Sequence, residues 1–146
     1  MRQTAPYALY VKPERVGLRG VKTTDDVVTR VLQTRLREVR AMSAHLERRL
    51  PAGLHDFRIA CKRLRYAIER FSRLDSSLAP IGERLAFLQD ALGEAHDRDV
   101  LLAILPPDMP ATERRLRSER EAQVDRAEFI WNDVKQWMRA LDSHPI

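Results

Sequence analysis

Apolar residues recur along this chain at helical spacing, and no stretch alternates with the period of two expected of a strand. The first series, Val28, Leu32, Val39, Met42, Leu46 and Leu50, predicts a helix over residues 25–50. Thr24 precedes it as an N-cap, and Asp25 and Asp26 put negative charge at the positive helix end. Pro51 and Gly53 are expected to interrupt that helix. A second series then runs through Leu54, Phe57, Cys61, Leu64, Ile68 and Phe71 in alternating steps of three and four. Asp75, Ser76 and Ser77 make a turn, after which Leu78, Ile81, Leu85, Leu88 and Leu92 form a third series ending at Gly93, read as a left-handed C-cap.

Val100, Leu101 and Ile104 predict a short helix over residues 97–105, stopped by Pro106 and Pro107. The last helix begins near Pro110 and carries Leu116, Gln123, Ala127, Ile130, Val134, Trp137 and Leu141 along one face. Four long amphipathic helices and one short helix, joined by short loops, predict an all-α, up-and-down antiparallel bundle. Residues 1–23 hold Pro6, Pro13, Gly17 and Gly20 among scattered bases and show no periodicity, so a basic arm or linker is expected ahead of a helical domain over 24–142.

The 146-residue length fits one domain with a single core. A net charge of +5 and a pI near 9.9 conceal an uneven distribution. Residues 54–73 carry six bases against two acids, whereas residues 78–105 carry two against five, and residues 111–142 are balanced at seven each. Positive charge concentrated in one helix favours a site for an anion over a generally adhesive surface. The single cysteine, Cys61, excludes an intramolecular disulfide and falls on an apolar stripe, which makes it a small buried hydrophobe. No apolar run approaches the roughly 20 residues that cross a bilayer, and no secretory leader is evident; a cytoplasmic location with no membrane partner is expected.

Within the second helix, 100° per residue places Arg58, Lys62 and Arg65 within about 80° of His55, on a strip beside the apolar stripe. Tyr66 adjoins this strip, and Glu69 stands four residues after Arg65, at ion-pair spacing. Like charges on one face repel by a few tenths of a kcal/mol per pair, and an anionic ligand turns that repulsion into attraction. Guanidinium forks bind phosphate bidentately, and lysine adds a point charge. The competing reading is an ordinary solvated helix face. Arg35 interrupts the apolar series between Leu32 and Val39, so it either snorkels to solvent or lines the same pocket.

His55-Asp56 and His96-Asp97 raise the alternative of a metal-dependent phosphohydrolase. No paired ligand spacing on any helix supports a metal site, and His45 and His144 lie outside both blocks, so no catalytic residue, metal or cofactor is expected. Nucleic acid is the other alternative, since any cationic groove attracts phosphodiesters. Phe57, Phe71, Phe87 and both tryptophans fall on or near apolar stripes, leaving few rings on which bases could stack.

The stretch His55-Asp-Phe-Arg-Ile-Ala-Cys-Lys-Arg-Leu-Arg-Tyr66, followed by Leu88-Gln-Asp-Ala-Leu-Gly93 and His96-Asp-Arg-Asp-Val-Leu101, resembles the CHAD domain, the conserved histidine α-helical domain. The similarity spans roughly residues 24–141. Lys12-Pro-Glu-Arg15 faintly resembles the linker that joins CHAD to CYTH domains. The resemblance implies a non-catalytic helical module that binds inorganic polyphosphate in a basic groove lined by His55, Arg58, Lys62, Arg63 and Arg65, with Tyr66 matching the same block. It also implies a place near polyphosphate granules. Family members usually contain two such halves, whereas each block occurs once here, so a homodimer is expected to restore the second.

Overall fold

The computed structural model describes residues 12–142. Pro6 of the expected arm, His144 and the side chain of Leu141 lie outside the described residues. The first helix, α1 (Thr24–Met42), is capped by Thr23, one residue earlier than expected. Thr23 Oγ1 accepts from the Asp26 N–H at 3.1 Å, and the Asp26 carboxylate accepts from the Thr23 N–H at 3.2 Å, which completes a capping box. The Lys22 N–H also donates to Asp26, and chiefly that bond holds the carboxyl below its ordinary range.

α1 does not continue to residue 50. It ends at Met42, where Ser43 Oγ donates back to the Arg40 carbonyl, and a single turn, α2 (Ala44–Arg48), follows. Arg49 then takes a left-handed φ of 59°, which costs a non-glycine residue about 1–2 kcal/mol. Its guanidinium offsets that strain by reaching Glu121, Asp125 and Glu128 at 2.6–2.8 Å. Burial opposes the charge, but the three carboxylates still hold Arg49 above its ordinary pKa.

Pro51 starts α3 (Pro51–Phe71) at a position where its missing N–H loses nothing. Gly53 sits inside this helix, not in a break. It is buried beneath His45, and a Cβ at residue 53 would stand 2.5 Å from His45 Nδ1. After a 3-10 turn at Ser76–Leu78, capped by Asp75, α4 (Ala79–Ile104) runs unbroken. The expected stop at Gly93 and the separate helix over 97–105 are therefore corrected. Among the described glycines only Gly20 has positive φ, so Gly93 cannot make a left-handed cap. Contacts with α5 (Pro110–Asp142) carry α4 onward, including Asp99 with Arg120 at 2.8 Å.

Among the described residues four long helices and one short helix result, as the pattern predicts, although the short one is Ala44–Arg48. No strand occurs among the described residues. Successive long helices are antiparallel: His55 faces His96 while Ile68 faces Gly82 across α3 and α4, and Arg84 faces Asp133 while Asp99 faces Arg120 across α4 and α5. The core joins Leu36 and Val39 of α1, Phe57, Leu64 and Ile68 of α3, Leu85 and Leu88 of α4, and Val124 and Val134 of α5. Each such burial contributes about 1.5–3 kcal/mol. Phe57 meets Trp131 edge to face at 5.2 Å, tying α3 to α5.

Several expected core positions differ, among them Val100, Leu101 and Ile104, which are exposed. Leu50 is 63% exposed and Phe87 half exposed, and on α5 the packed residues include Val124, Trp131 and Met138 instead of Gln123, with Trp137 only partly covered. Cys61 is fully buried as expected, and burial pushes its thiol well above the ordinary value.

Candidate functional site

α3 packs against α1 on one side and α4 on the other, so the bases on its outer face lean toward one neighbour or the other. Toward α1, Arg63 and Arg70, seven residues apart and hence on the same face, meet Arg35 and Tyr66 around a recess of about 400 Å³. No carboxylate lines it among the described residues. Arg35 does not simply snorkel: its Nη1 pairs with Glu38 Oε1 at 2.6 Å and donates to the Glu14 carbonyl at 3.3 Å.

Behind these arginines lies Glu38, 93% buried by its 7% side-chain exposure, with Arg63 Nη1 at 3.6 Å from Oε2. The same oxygen accepts from the Glu14 N–H at 2.8 Å, and Arg37 pairs with the Glu14 side chain at 3.2 Å. Residues 12–15 therefore lie along α1, fixed at Glu14, and Arg30 holds the Gly17 carbonyl at 3.1 Å. A buried carboxylate with two hydrogen-bond donors and a second guanidinium at ion-pair distance keeps its charge solvated by protein.

Lys62 and Arg65 approach the Tyr66 ring, with Nζ at 5.7 Å and Cζ at 5.1 Å from its centroid. Arg65 also pairs with Glu69 at 3.5 Å, the expected i, i+4 contact. Neither Lys62 nor Arg70 forms an ion pair among the described residues. Tyr66 is half exposed, but two cations already stand by its ring.

Arg58 departs from the expected strip. It turns toward α4 into a recess of about 420 Å³ shared with Gln89, Asp90, Glu94, Asp97 and Arg126, where acids outnumber bases. Its Nε and the Gln89 Oε1 are both buried without a hydrogen-bond partner. His55 lies one turn before Arg58, near the start of α3, its ring 5.5 Å from that of His96. Burial first, then the neighbouring His96 and Arg58, hold His55 below its ordinary pKa, with Asp56 pulling the other way. The two His-Asp dipeptides thus meet, yet no group of three or more potential ligands converges among the described residues.

Of the residues singled out in the sequence, Arg35, Arg63 and Tyr66 gather around one recess. Lys62 and Arg65 flank Tyr66, His55 borders a smaller adjoining cavity that Arg63 also lines, and Arg58 faces away. Arg70 was not among them. Its signal was the seven-residue step from Arg63, which is two helical turns.

No helix among the described residues is long and apolar enough to cross a membrane. Comparison with curated proteins and with solved structures returns no match. A sequence profile of the CHAD domain matches residues 7–106, which takes in the segment along α1, the basic helix and all of α4. With more than half its length matched, and with both motif blocks on facing helices, the chain belongs to the CHAD domain family.

Proposed function

We propose that this protein binds inorganic polyphosphate, or a polyanion of like geometry, on the α1–α3 side of its basic helix and performs no chemistry on it. The observation that carries this reading is the recess where Arg35, Arg63 and Arg70 converge beside Tyr66, with no carboxylate in its lining and the buried Glu38 behind Arg35 and Arg63 as their counter-charge. Three guanidiniums on rigid helices suit successive phosphates, and Lys62 extends the charge along α3. CHAD domains are often linked to polyphosphate binding, which supports the same conclusion. A nucleic acid would need open ring faces, and the Tyr66 ring already has Lys62 and Arg65 beside it.

In this reading residues 24–142 form the binding domain, residues 12–23 its strap, and the protein works in the cytoplasm, close to polyphosphate granules. A homodimer would bring two basic helices into one assembly. Val100, Leu101, Ile104 and Met109, exposed around the α4–α5 turn, supply apolar surface for it, and sedimentation at several concentrations tests the point.

The deciding experiment is a calorimetric titration with long-chain polyphosphate across a series of salt concentrations. Affinity should fall linearly on logarithmic axes as counterions are released. Arg70→Glu and Lys62→Glu should each weaken binding and flatten that slope, and Arg58→Glu should do less because its recess is acidic. Unchanged affinity in the first two variants would remove the proposed function.

A further inference from the structure

The cavity next to the arginine recess has the opposite character. It encloses about 150 Å³ and is lined by Lys12, Arg63 and His55 against Glu14, Asp56 and the buried Glu38; at neutral pH, where the lowered pKa leaves His55 uncharged, a phosphate there would meet more acid than base. Its apolar lining comes from the exposed Ala41, the half-buried Met42 and Ile59, and the buried Ala60. A volume of this size holds roughly one six-membered aromatic ring. The small alanines leave a slot, and carboxylates around a slot favour a ring that donates hydrogen bonds.

The two spaces adjoin. Arg63 lines both, and the Glu38 cluster with Arg35 and Arg63 stands at their border. The strap crosses the same border: Lys12 and Glu14 line the acidic cavity and Pro13 lines the cationic recess, as alternate residues of an extended segment do. A bare phosphate chain uses only the cationic half of this arrangement. A ligand with a donor-bearing ring at one end and phosphates at the other uses both.

Building on the polyanion reading, we infer that the paired cavities bind a nucleoside 5′-triphosphate whose base carries an exocyclic amino group. The base lies over Ala41 and Ala60 and donates its amino N–H to the Asp56 or Glu14 carboxylate, while the phosphates reach Arg35, Arg63 and Arg70. Asp56 then acts as a specificity determinant and not as a ligand for polyphosphate.

The test is calorimetry on the full chain, without added metal, with CTP, UTP and inorganic tripolyphosphate at one pH and one salt concentration. CTP should bind about tenfold tighter than tripolyphosphate, despite its smaller charge, a difference of about 1.4 kcal/mol. UTP, which lacks the amino group, should bind several-fold more weakly than CTP. Ala41→Leu, at an exposed position that does not disturb the core, should bring CTP down to the tripolyphosphate value and leave tripolyphosphate unaffected. Equal affinities for CTP and tripolyphosphate, equal affinities for CTP and UTP, or an Ala41→Leu variant that binds CTP like the parent would each overturn the inference. Loss of the polyanion reading looks different, because then tripolyphosphate and CTP both fail to bind.

Discussion

A Cβ placed on Gly93 of α4 would stand 3.7 Å from Nε and 3.7 Å from Nη2 of Arg58 on α3. That is ordinary contact, so the position does not demand glycine for space, and glycine inside a helix costs about 0.5–1 kcal/mol relative to alanine. Gly93→Ala should therefore raise the free energy of unfolding by about 0.5–1 kcal/mol in a urea titration. A loss of stability would show that the Arg58 guanidinium requires the bare backbone.

Glu38 acts as a resident anion for Arg35 and Arg63. Glu38→Gln keeps the shape and removes the charge. It should cost about 1–3 kcal/mol of stability, because two partly buried guanidiniums lose their counter-charge. The same change should tighten polyphosphate binding at the arginine recess. Titration alongside denaturation checks both signs, and weaker binding would mean that Glu38 chiefly orders the arginines.

The lowered pKa of His55 sets a pH window. Its unfolded value is the higher one, so acidification protonates the unfolded chain first, and stability present above about pH 6.5 declines as pH falls toward the folded value. His55→Gln should flatten that decline in melting curves. A bound polyanion favours the protonated ring, so any gain in affinity from His55 should appear below about pH 6.5, not between pH 6 and 8 as an ordinary histidine would give. Titrations at pH 5.5 and 7.5 on parent and variant measure this, and identical ratios would exclude His55 from the contact.

Gly53 offers no such latitude. With His45 Nδ1, Cγ and Cβ at 2.5, 2.8 and 3.0 Å from the added carbon, Gly53→Ala must push α2 off α3. Overpacking of this kind costs about 1–3 kcal/mol. His45→Ala should restore most of the loss in the double variant, and additive effects would show that the strain lies elsewhere.

The long-range pattern of the fold was legible because each stripe keeps its period from Leu32 to Val39, Leu54 to Ile68 and Ile81 to Leu92. Local punctuation was less so. Gly93 was read as a stop, yet the residues after it are held across to α5 by Arg98 with Glu119 and by Asp99 with Arg120, contacts with no local signature. Gly53 was read as a breaker, and only the approach of His45 explains it.

The turn at Arg49 has the same origin, since its guanidinium reaches three carboxylates more than 70 positions away. At the candidate site, helical geometry placed Arg63 and Tyr66 on one helix but could not decide which way each long side chain bends. Arg58 lies near the edge of its strip, where packing against α4 decides its direction. For Arg35 the sequence left snorkelling and pocket lining open, and the structure shows it lining the recess while paired with Glu38, three residues on.

The family profile ends at residue 106, whereas Val124, Ala127, Trp131, Val134 and Met138 come from a helix that begins at Pro110. The inherited signature is thus shorter than the cooperative unit. A chain cut at the signature's edge would leave Phe57 without Trp131 and the inner face of α4 open to water, inviting aggregation. Any fragment meant to carry the basic helix in isolation must keep α5 as its lid.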